Sequence, residues 1–358
     1  MEYIVFFVKV KFSMKMIHCA DIHLGAKLNS KYSYEVANVL KSEILKTFSE
    51  MIDYANENGI HLILMSGDVF DKDKPTIKDK DYFYKLVKNN PHIDFLYLKG
   101  NHDKEGAYIE NEISNLKTFK KNEITTYEYG DINISGIEIS PDNEKSFYSQ
   151  ISLKDDKINI FMLHGEVNIN ELKNKNIDYL ALGHLHSFKR GRIDDRGEWA
   201  YSGCLVGRGF DECGEKGFIV LDVGEKVDFD FLKFAHRTIY DLNIDITGAS
   251  DLFDTEMTLK QVCSDIGTDN LLRINLIGDL SVGMDINEKD IEMLLSSYFF
   301  IEVKDKTNLK INVSDYNDDK SLLGEFVRGI YNNNNYTEEE KHRLISMGLK
   351  ALTGREME

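Results

Sequence analysis

The chain has 358 residues, 42% hydrophobic and 29% charged, enough for two cores and typical of a soluble globular protein. A formal net charge of -17 argues against tight nonspecific nucleic-acid binding by the bare chain, because phosphate contacts need Lys and Arg, although bound cations can invert such a field locally. No apolar run approaches the roughly 18 residues of a membrane span, and the cysteines (Cys19, Cys204, Cys213, Cys263) lack C-x-x-C spacing, which suits free thiols in a reducing cytoplasm better than a disulfide framework.

Residues 1–13, MEYIVFFVKVKFS, hold a short apolar run with no cationic stretch before it, which argues against a signal peptide. They read as an N-terminal extension with no assigned function, and Met14 or Met16 opens the first core strand. That strand, Met16 to Ala20, runs into Asp21-Ile-His23. Ala37, Leu40, Ile44, Phe48, Met51, Ile52 and Ala55 then recur at helical spacing, one buried stripe that Asn58-Gly59 terminates. Leu62 to Met65 is a second strand, running into Gly67-Asp68-Val-Phe-Asp71, and Pro75-Thr76 opens a helix with Phe83, Leu86 and Val87. Phe95 to Leu98 is a third strand, followed by Gly100-Asn101-His102-Asp103. Alternating strand and helix mark an α/β sheet.

From Glu123 the hydrophobic period changes to two. Hairpins are expected around Gly130-Asp131, around Asp194 to Gly197, and around Gly224 to Lys226. Within this region Ile160 to Leu163 runs into His164-Gly165, and Tyr179 to Leu182 runs into Gly183-His184-Leu-His186. The expected fold class is α/β: two facing sheets flanked by helices over residues 14–235, then a small α+β domain over 236–318. Within the latter, Leu252–Ile266 and Glu288–Ser297 read as helices, and Leu271–Leu276, Phe299–Val303 and Leu309–Val313 as strands. Residues 319–358 read as a helical pair, Ser321–Tyr331 and Glu338–Leu352, the second opened by the capping box Thr337-x-x-Glu340.

Five buried strands thus each end on Asp, Asn or His, and ligand sites in open α/β sheets form outside the carboxyl ends of strands. In an extended segment, side chains two apart point the same way, so Asp21 and His23 should share a face, as should His184 and His186. Asn101 and His102 are adjacent and should diverge, one ligating and the other facing substrate. Asp68 follows a glycine at a strand end, where a carboxylate can bridge two cations. Four imidazoles suit manganese, iron or zinc better than magnesium, and seven donors sharing one carboxylate suffice for two divalent ions clamping an in-line displacement. Each piece alone is ordinary, since Gly-Asp and Gly-Asn are common turn material. The ordered set D-x-H, GD-x-x-D, GNHD, HG and GH-x-H is not.

That ordered set resembles the calcineurin-like metallophosphoesterase superfamily. Cys19-Ala-Asp-Ile-His-Leu-Gly25, Ser66-Gly-Asp-Val-Phe-Asp71, Tyr201-Ser-Gly-Cys204 and Gly214-Glu-Lys-Gly217 look like the SbcD family of DNA-repair exonuclease subunits. Gly324-Glu-Phe-Val-Arg328 and Gly348-Leu-Lys-Ala-Leu352 are also similar to SbcD-like proteins. The resemblance implies that Asp21, His23 and His186 hold one metal, Asn101, His164 and His184 the other, and that Asp68 bridges. It implies that His102 stabilises the phosphate or protonates the leaving 3′ or 5′ oxygen, and that Asp71 and Asp103 orient imidazoles. It also implies that 236–318 caps the site, and that an SbcC-like coiled-coil ATPase docks on the C-terminal helices. One departure is Ser202, where the family has proline, a change expected to loosen that loop.

Arg190, Arg192, Arg196 and Arg208 cluster after GH-x-H, and Arg190, Arg192 and Arg208 are candidate phosphate contacts. The leading expectation is a manganese-dependent DNA exonuclease or endonuclease subunit, with iron or zinc as alternative metals, a homodimer as one assembly option, and no membrane partner. The rivals are a phosphodiesterase for a small cyclic nucleotide or dinucleotide, disfavoured because the five motifs need only the first domain, and a regulatory subunit of an ATPase, whose signature would be degraded ligands.

Overall fold

The computed structural model describes residues 13–71, 75–103, 113–281, 286–310 and 313–353; the expected N-terminal extension, apart from Ser13, lies outside them. The chain divides into two compact units, Met1–Ile239 and Tyr240–Glu358.

The first unit is an α/β sandwich. Its first sheet takes β1 (Met14–Cys19), β2 (Leu62–Ser66), β3 (Asp94–Leu98) and β4 (Leu116–Thr118) in parallel, and adds β11 (Gly217–Val223) antiparallel beside β1 and then β12 (Val227–Lys233) antiparallel to β11. The second orders β5 (Thr125–Tyr129), β6 (Ile132–Gly136), β7 (Ile158–His164), β8 (Tyr179–Gly183), β10 (Glu198–Tyr201) and β9 (Lys189–Arg192), with β6, β7, β8 and β10 parallel. All three expected hairpins form: β5–β6, β9–β10 and β11–β12. Alternate residues of the two sheets, among them Met16, Leu64, Leu96, Ile134, Ile160, Met162 and Ala181, face each other in one core. On the edge strand β12, Phe229 and Phe231 turn toward that core while Asp228 and Asp230 are exposed.

Helix α1 (Tyr34–Glu57) buries the stripe read from the sequence, with Ser33 accepting from the Val36 amide at its start. Helix α2 (Ile77–Asn89) begins with a Thr76–Asp79 capping box. Phe83 of α2 stacks on Phe48 of α1 and meets Tyr97 of β3 edge-on, so both helices cover the outer face of the first sheet. On the second sheet, Phe161, Leu163, Leu180 and Leu182 form the outer face, joined by Phe147 of the short helix α3 (Phe147–Gln150).

The second unit holds a sheet of β13 (Ile239–Asp245), β14 (Leu271–Ile277) and β16 (Phe300–Asp305), against which α4 (Leu252–Cys263) and α5 (Glu288–Leu294) pack through Leu259, Cys263 and Ile291. A separate pair, β15 (Asp279–Ser281) and β17 (Asn308–Lys310), runs parallel. The expected strand Leu309–Val313 is shorter than read, because Val313 already begins a 3-10 turn. Two strands were not among the expected elements: β13, although Tyr240, Leu242 and Ile244 alternate with Asp241, Asn243 and Asp245, and the three-residue β15. Helices α6 (Leu322–Tyr331) and α7 (Glu338–Thr353) pack through Val327 and Ile345, and α7 starts with the expected Thr337–Glu340 box.

One polar group interrupts the sandwich core. His18 of β1 is fully buried and bonds through Nδ1 to the Tyr179 hydroxyl at 2.8 Å, and burial lowers its pKa to about 3. The unfolded chain takes up a proton near pH 6.5 that native His18 refuses, so stability falls as pH drops from about 6.5 toward 3. At pH 5 this single residue is expected to cost about 2 kcal/mol. Urea unfolding of wild type and His18→Gln at pH 7 and pH 5 checks this: the pH-dependent loss should be smaller in the variant by that amount.

Candidate metal centre

All five strand ends meet at one rim of the sandwich. Asp21 and His23 follow β1, Asp68 follows β2 and Asn101 follows β3, while His164 closes β7 and His184 and His186 follow β8. The β1 and β2 loops are laced by backbone bonds from Asp21 N to Gly67 O (3.0 Å) and from His23 N to Asp68 O (3.0 Å). Asp21, His23, Asp68 and His184 have φ of 50°, 53°, 54° and 104°. The segments are therefore not extended, and side-chain alternation is not what aims Asp21, His23 and His184. Left-handed turns swing them inward, a backbone choice that disfavours side chains with a Cβ and concentrates at functional sites.

Two groups of donors result. The ligand atoms of Asp21, His23 and His186 lie within 4.8 Å of one another, with the Nε2 atoms of His23 and His186 3.4 Å apart. Asp21, Asp68 and His164 form a second group within the same limit. His164 Nε2 faces Asp68 Oδ2 at 3.3 Å and Asn101 Oδ1 at 3.0 Å, and His184 Nδ1 reaches the same Asn101 oxygen at 3.2 Å. Asp21 joins both groups, and its carboxylate also accepts from the His184 amide at 2.9 Å. Two carboxylates, an amide oxygen and four imidazoles on one point are a donor set for borderline divalent cations, and the residues fit such ions.

The electrostatics agree with a site built for positive charge. Burial drives the Asp21 carboxyl up to about 6, against the opposing pull of His164. Burial alone would lower His164, but Asp68 and Asp21 hold the imidazole up at about 9. Burial likewise works to raise Asp68, yet His164 and the His102 amide bring it down to about 2. This pair is an ion pair that a cation would replace.

Outer contacts fix the imidazoles. His164 Nδ1 donates to the Ser66 carbonyl at 2.8 Å, His23 Nδ1 faces Asp71 Oδ1 at 3.3 Å, and His186 Nδ1 faces Glu212 Oε1 at 2.8 Å. Asp71 thus sits beside an imidazole as expected. Asp103 does not: its carboxylate accepts from the Val69, Phe70 and Gly100 amides, clamping the β2 and β3 loops together instead of orienting a histidine. Glu212 was not foreseen. Its only sequence signal is the four-residue spacing from Arg208.

His102 diverges from Asn101 as expected. Its ring lies 5.2 Å from that of His23, its amide donates to Asp68 Oδ1 at 2.8 Å, and its Nδ1 lies 3.2 Å from the Asp71 carbonyl. A carbonyl only accepts, so Nδ1 carries the proton and Nε2 is left for other chemistry. The arginines differ from expectation. Arg208 is mostly buried and bonded to Asp71 and Glu212, which removes it as a phosphate contact. Arg192 pairs in register with Glu198, itself opposite Tyr179, at the end of β8 remote from the site, and Arg190 lies over the Phe229 ring at 5.8 Å. Ser202 does not leave a loose loop: it is fully buried, and its amide donates to the Leu182 carbonyl at 3.4 Å, a bond proline cannot make.

Residues 14–188 match the calcineurin-like phosphoesterase family. The chain is 23% identical to the DNA double-strand break repair protein Mre11 of Sulfolobus acidocaldarius, over 93% of this chain and 94% of that protein. It is 29% identical to the Mre11 protein of Saccharolobus solfataricus, over 53% of this chain and 54% of that protein. It is 24% identical to the metallophosphoesterase YhaO of Bacillus subtilis, over 67% and 65% of the two lengths.

The rim closes only because Gly183 has no side chain, since a Cβ there would fall 1.9 Å from the Ser66 carbonyl oxygen. Gly183→Ala should force the sheets apart at this edge, costing about 1–3 kcal/mol of stability and weakening metal uptake. Urea unfolding with elemental analysis of the refolded protein measures both.

Proposed function

We propose that this chain, whose residues 14–188 match the calcineurin-like phosphoesterase family, is a DNA nuclease subunit of a double-strand break repair machine, hydrolysing phosphodiesters with two divalent ions, manganese foremost. The observation that supports it most is the convergence of Asp21, His23 and His186 on one side and Asp68, Asn101, His164 and His184 on the other. Asp21, His23 and His186 would hold one ion and Asn101, His164 and His184 the second, with Asp68 shared. Such ions supply charge neutralisation at the phosphate and a nucleophilic water at neutral pH. The chain's own residues then position and protonate. His102, anchored through Nδ1 to the Asp71 carbonyl, offers Nε2 to the phosphate or the leaving oxygen. The net charge of -17 makes the bound ions, and not the bare surface, the main attraction for a polyanion.

Two variants separate holding from chemistry. Asp68→Asn should lose both metal content and hydrolysis of labelled DNA and of bis-p-nitrophenyl phosphate. His102→Ala should keep its metals and lose about 10²–10⁴ in turnover. Elemental analysis beside the nuclease assay decides: wild-type activity in Asp68→Asn removes the two-metal reading, and metal loss in His102→Ala makes that residue a ligand.

The remaining chain serves assembly in this reading, with 236–318 as a capping domain and the C-terminal helices as the dock for an SbcC-like coiled-coil ATPase in the cytoplasm. Among the described residues no helix is long and apolar enough to cross a membrane. Helices α6 and α7 bury Val327 and Ile345 between them, and a Cβ at Gly348 would already collide with Phe326. Leu322, Tyr331 and Met347 are nonetheless exposed, an apolar remainder suited to a hydrophobic groove. Of the apolar stripe expected on α7, the side chains of Leu349 and Leu352 lie outside the described set. Truncation after Asp319 should leave the melting temperature and small-substrate activity intact while abolishing co-purification with the ATPase. A large drop in melting temperature would instead make the helices part of the core.

A further inference from the structure

Among the described residues, Arg208 is the one charged side chain that touches the carboxylates behind both imidazoles of a single donor group. Its Nη1 donates to Asp71 Oδ1 at 2.8 Å, and its Nη2 donates to Glu212 Oε1 at 2.5 Å. Its Nε and backbone amide also reach Glu212, at 3.1 Å and 2.7 Å. Those two carboxylates face His23 Nδ1 at 3.3 Å and His186 Nδ1 at 2.8 Å. Lys216 completes the frame by donating to the His186 carbonyl at 2.7 Å. The side chains of Arg208 and Glu212 are only 12% and 3% exposed, so little water is available to substitute for any partner.

The other half of the centre is supported differently. His164 Nδ1 is held by the Ser66 carbonyl, a backbone atom fixed by the sheet itself. Asn101 is reached by His164 and His184 directly. One half therefore depends on a side-chain charge network with a single hub, and the other on main-chain geometry.

We infer that Arg208 is a positioning residue that sets the affinity of the Asp21–His23–His186 half for its metal and leaves the Asn101–His164–His184 half nearly untouched. The inference rests on the two-metal reading above. The guanidinium fork fixes where both carboxylates point, and each carboxylate in turn fixes the rotation of one imidazole. Lysine keeps the charge but is a single point on a flexible stem, so it can serve only one of the two carboxylates.

The test is manganese titration of metal-free protein, followed by elemental analysis and electron paramagnetic resonance, for wild type, Arg208→Lys, and the double variant Arg208→Met with Glu212→Gln. The double variant removes opposite charges together and guards against misfolding from an unpaired buried carboxylate. Wild type should bind two ions with the spectrum of a coupled pair. Both variants should bind one ion with wild-type affinity and the second about 10–100-fold more weakly, giving the spectrum of an isolated ion at limiting manganese. Two ions at wild-type affinity in Arg208→Lys, or equal weakening of both ions, overturns the inference while leaving the two-metal reading standing. A wild type that binds fewer than two ions overturns that reading and the inference with it. Thermal melting of the metal-free proteins reports folding separately.

Discussion

The hydrogen bond from His164 Nδ1 to the Ser66 carbonyl spans the two sheets at hydrogen-bond distance, 2.8 Å. Sheets in a sandwich ordinarily stand about 10 Å apart, with side chains filling the gap. At this rim the gap has closed. Ser66 Oγ also crosses to the Ala181 carbonyl at 3.2 Å, and Gly183 gives way to the Ser66 oxygen. Donors from β1, β2 and β3 can meet donors from β7 and β8 only because the two layers pinch together where their strands end. Every other property of the centre follows from that approach, including the burial that shifts Asp21 and the pairing of His164 with Asp68.

The pinch is accompanied by backbone strain. Left-handed conformations at residues with a Cβ cost roughly 1–2 kcal/mol each, and among the described residues four of the six such non-glycine positions are Asp21, His23, Asp68 and His184. Backbone bonds between the β1 and β2 loops and the Asp103 clamp offset part of this. A cation that binds only the folded form would add stability by mass action. Strain and loop lacing are then parts of one balance: the protein holds a backbone geometry at the centre that residues with a Cβ disfavour.

Much of this was legible in the sequence because strand ends are written in two letters: an apolar run and the polar residue that breaks it. The identity and order of Asp21, His23, Asp68, Asn101, His164, His184 and His186 needed nothing more. Their aim did not follow from alternation, since φ at Asp21, His23 and His184 reverses the simple rule. Glu212 was missed and Arg208 misread for a different reason. Both are charged, and in sequence a charged loop residue looks solvated; only tertiary packing reveals that Glu212 is 3% exposed against His186. In the second unit the helices announced themselves through caps and stripes, while the three-residue β15 is too short for any period to emerge.

The sandwich still has open edges, and β12 is one of them. Its inward Phe229 and Phe231 make it sticky, and its free backbone would template another strand. The outward residues answer this. Asp228 stands opposite Asp222 in register and Asp230 is exposed beside it, so a second β12 approaching edge to edge would bring carboxylate against carboxylate. Charge opposes sheet growth there. The strong acidity that weakens attraction to a polyanion thus also guards the sandwich from aggregating through the β12 edge.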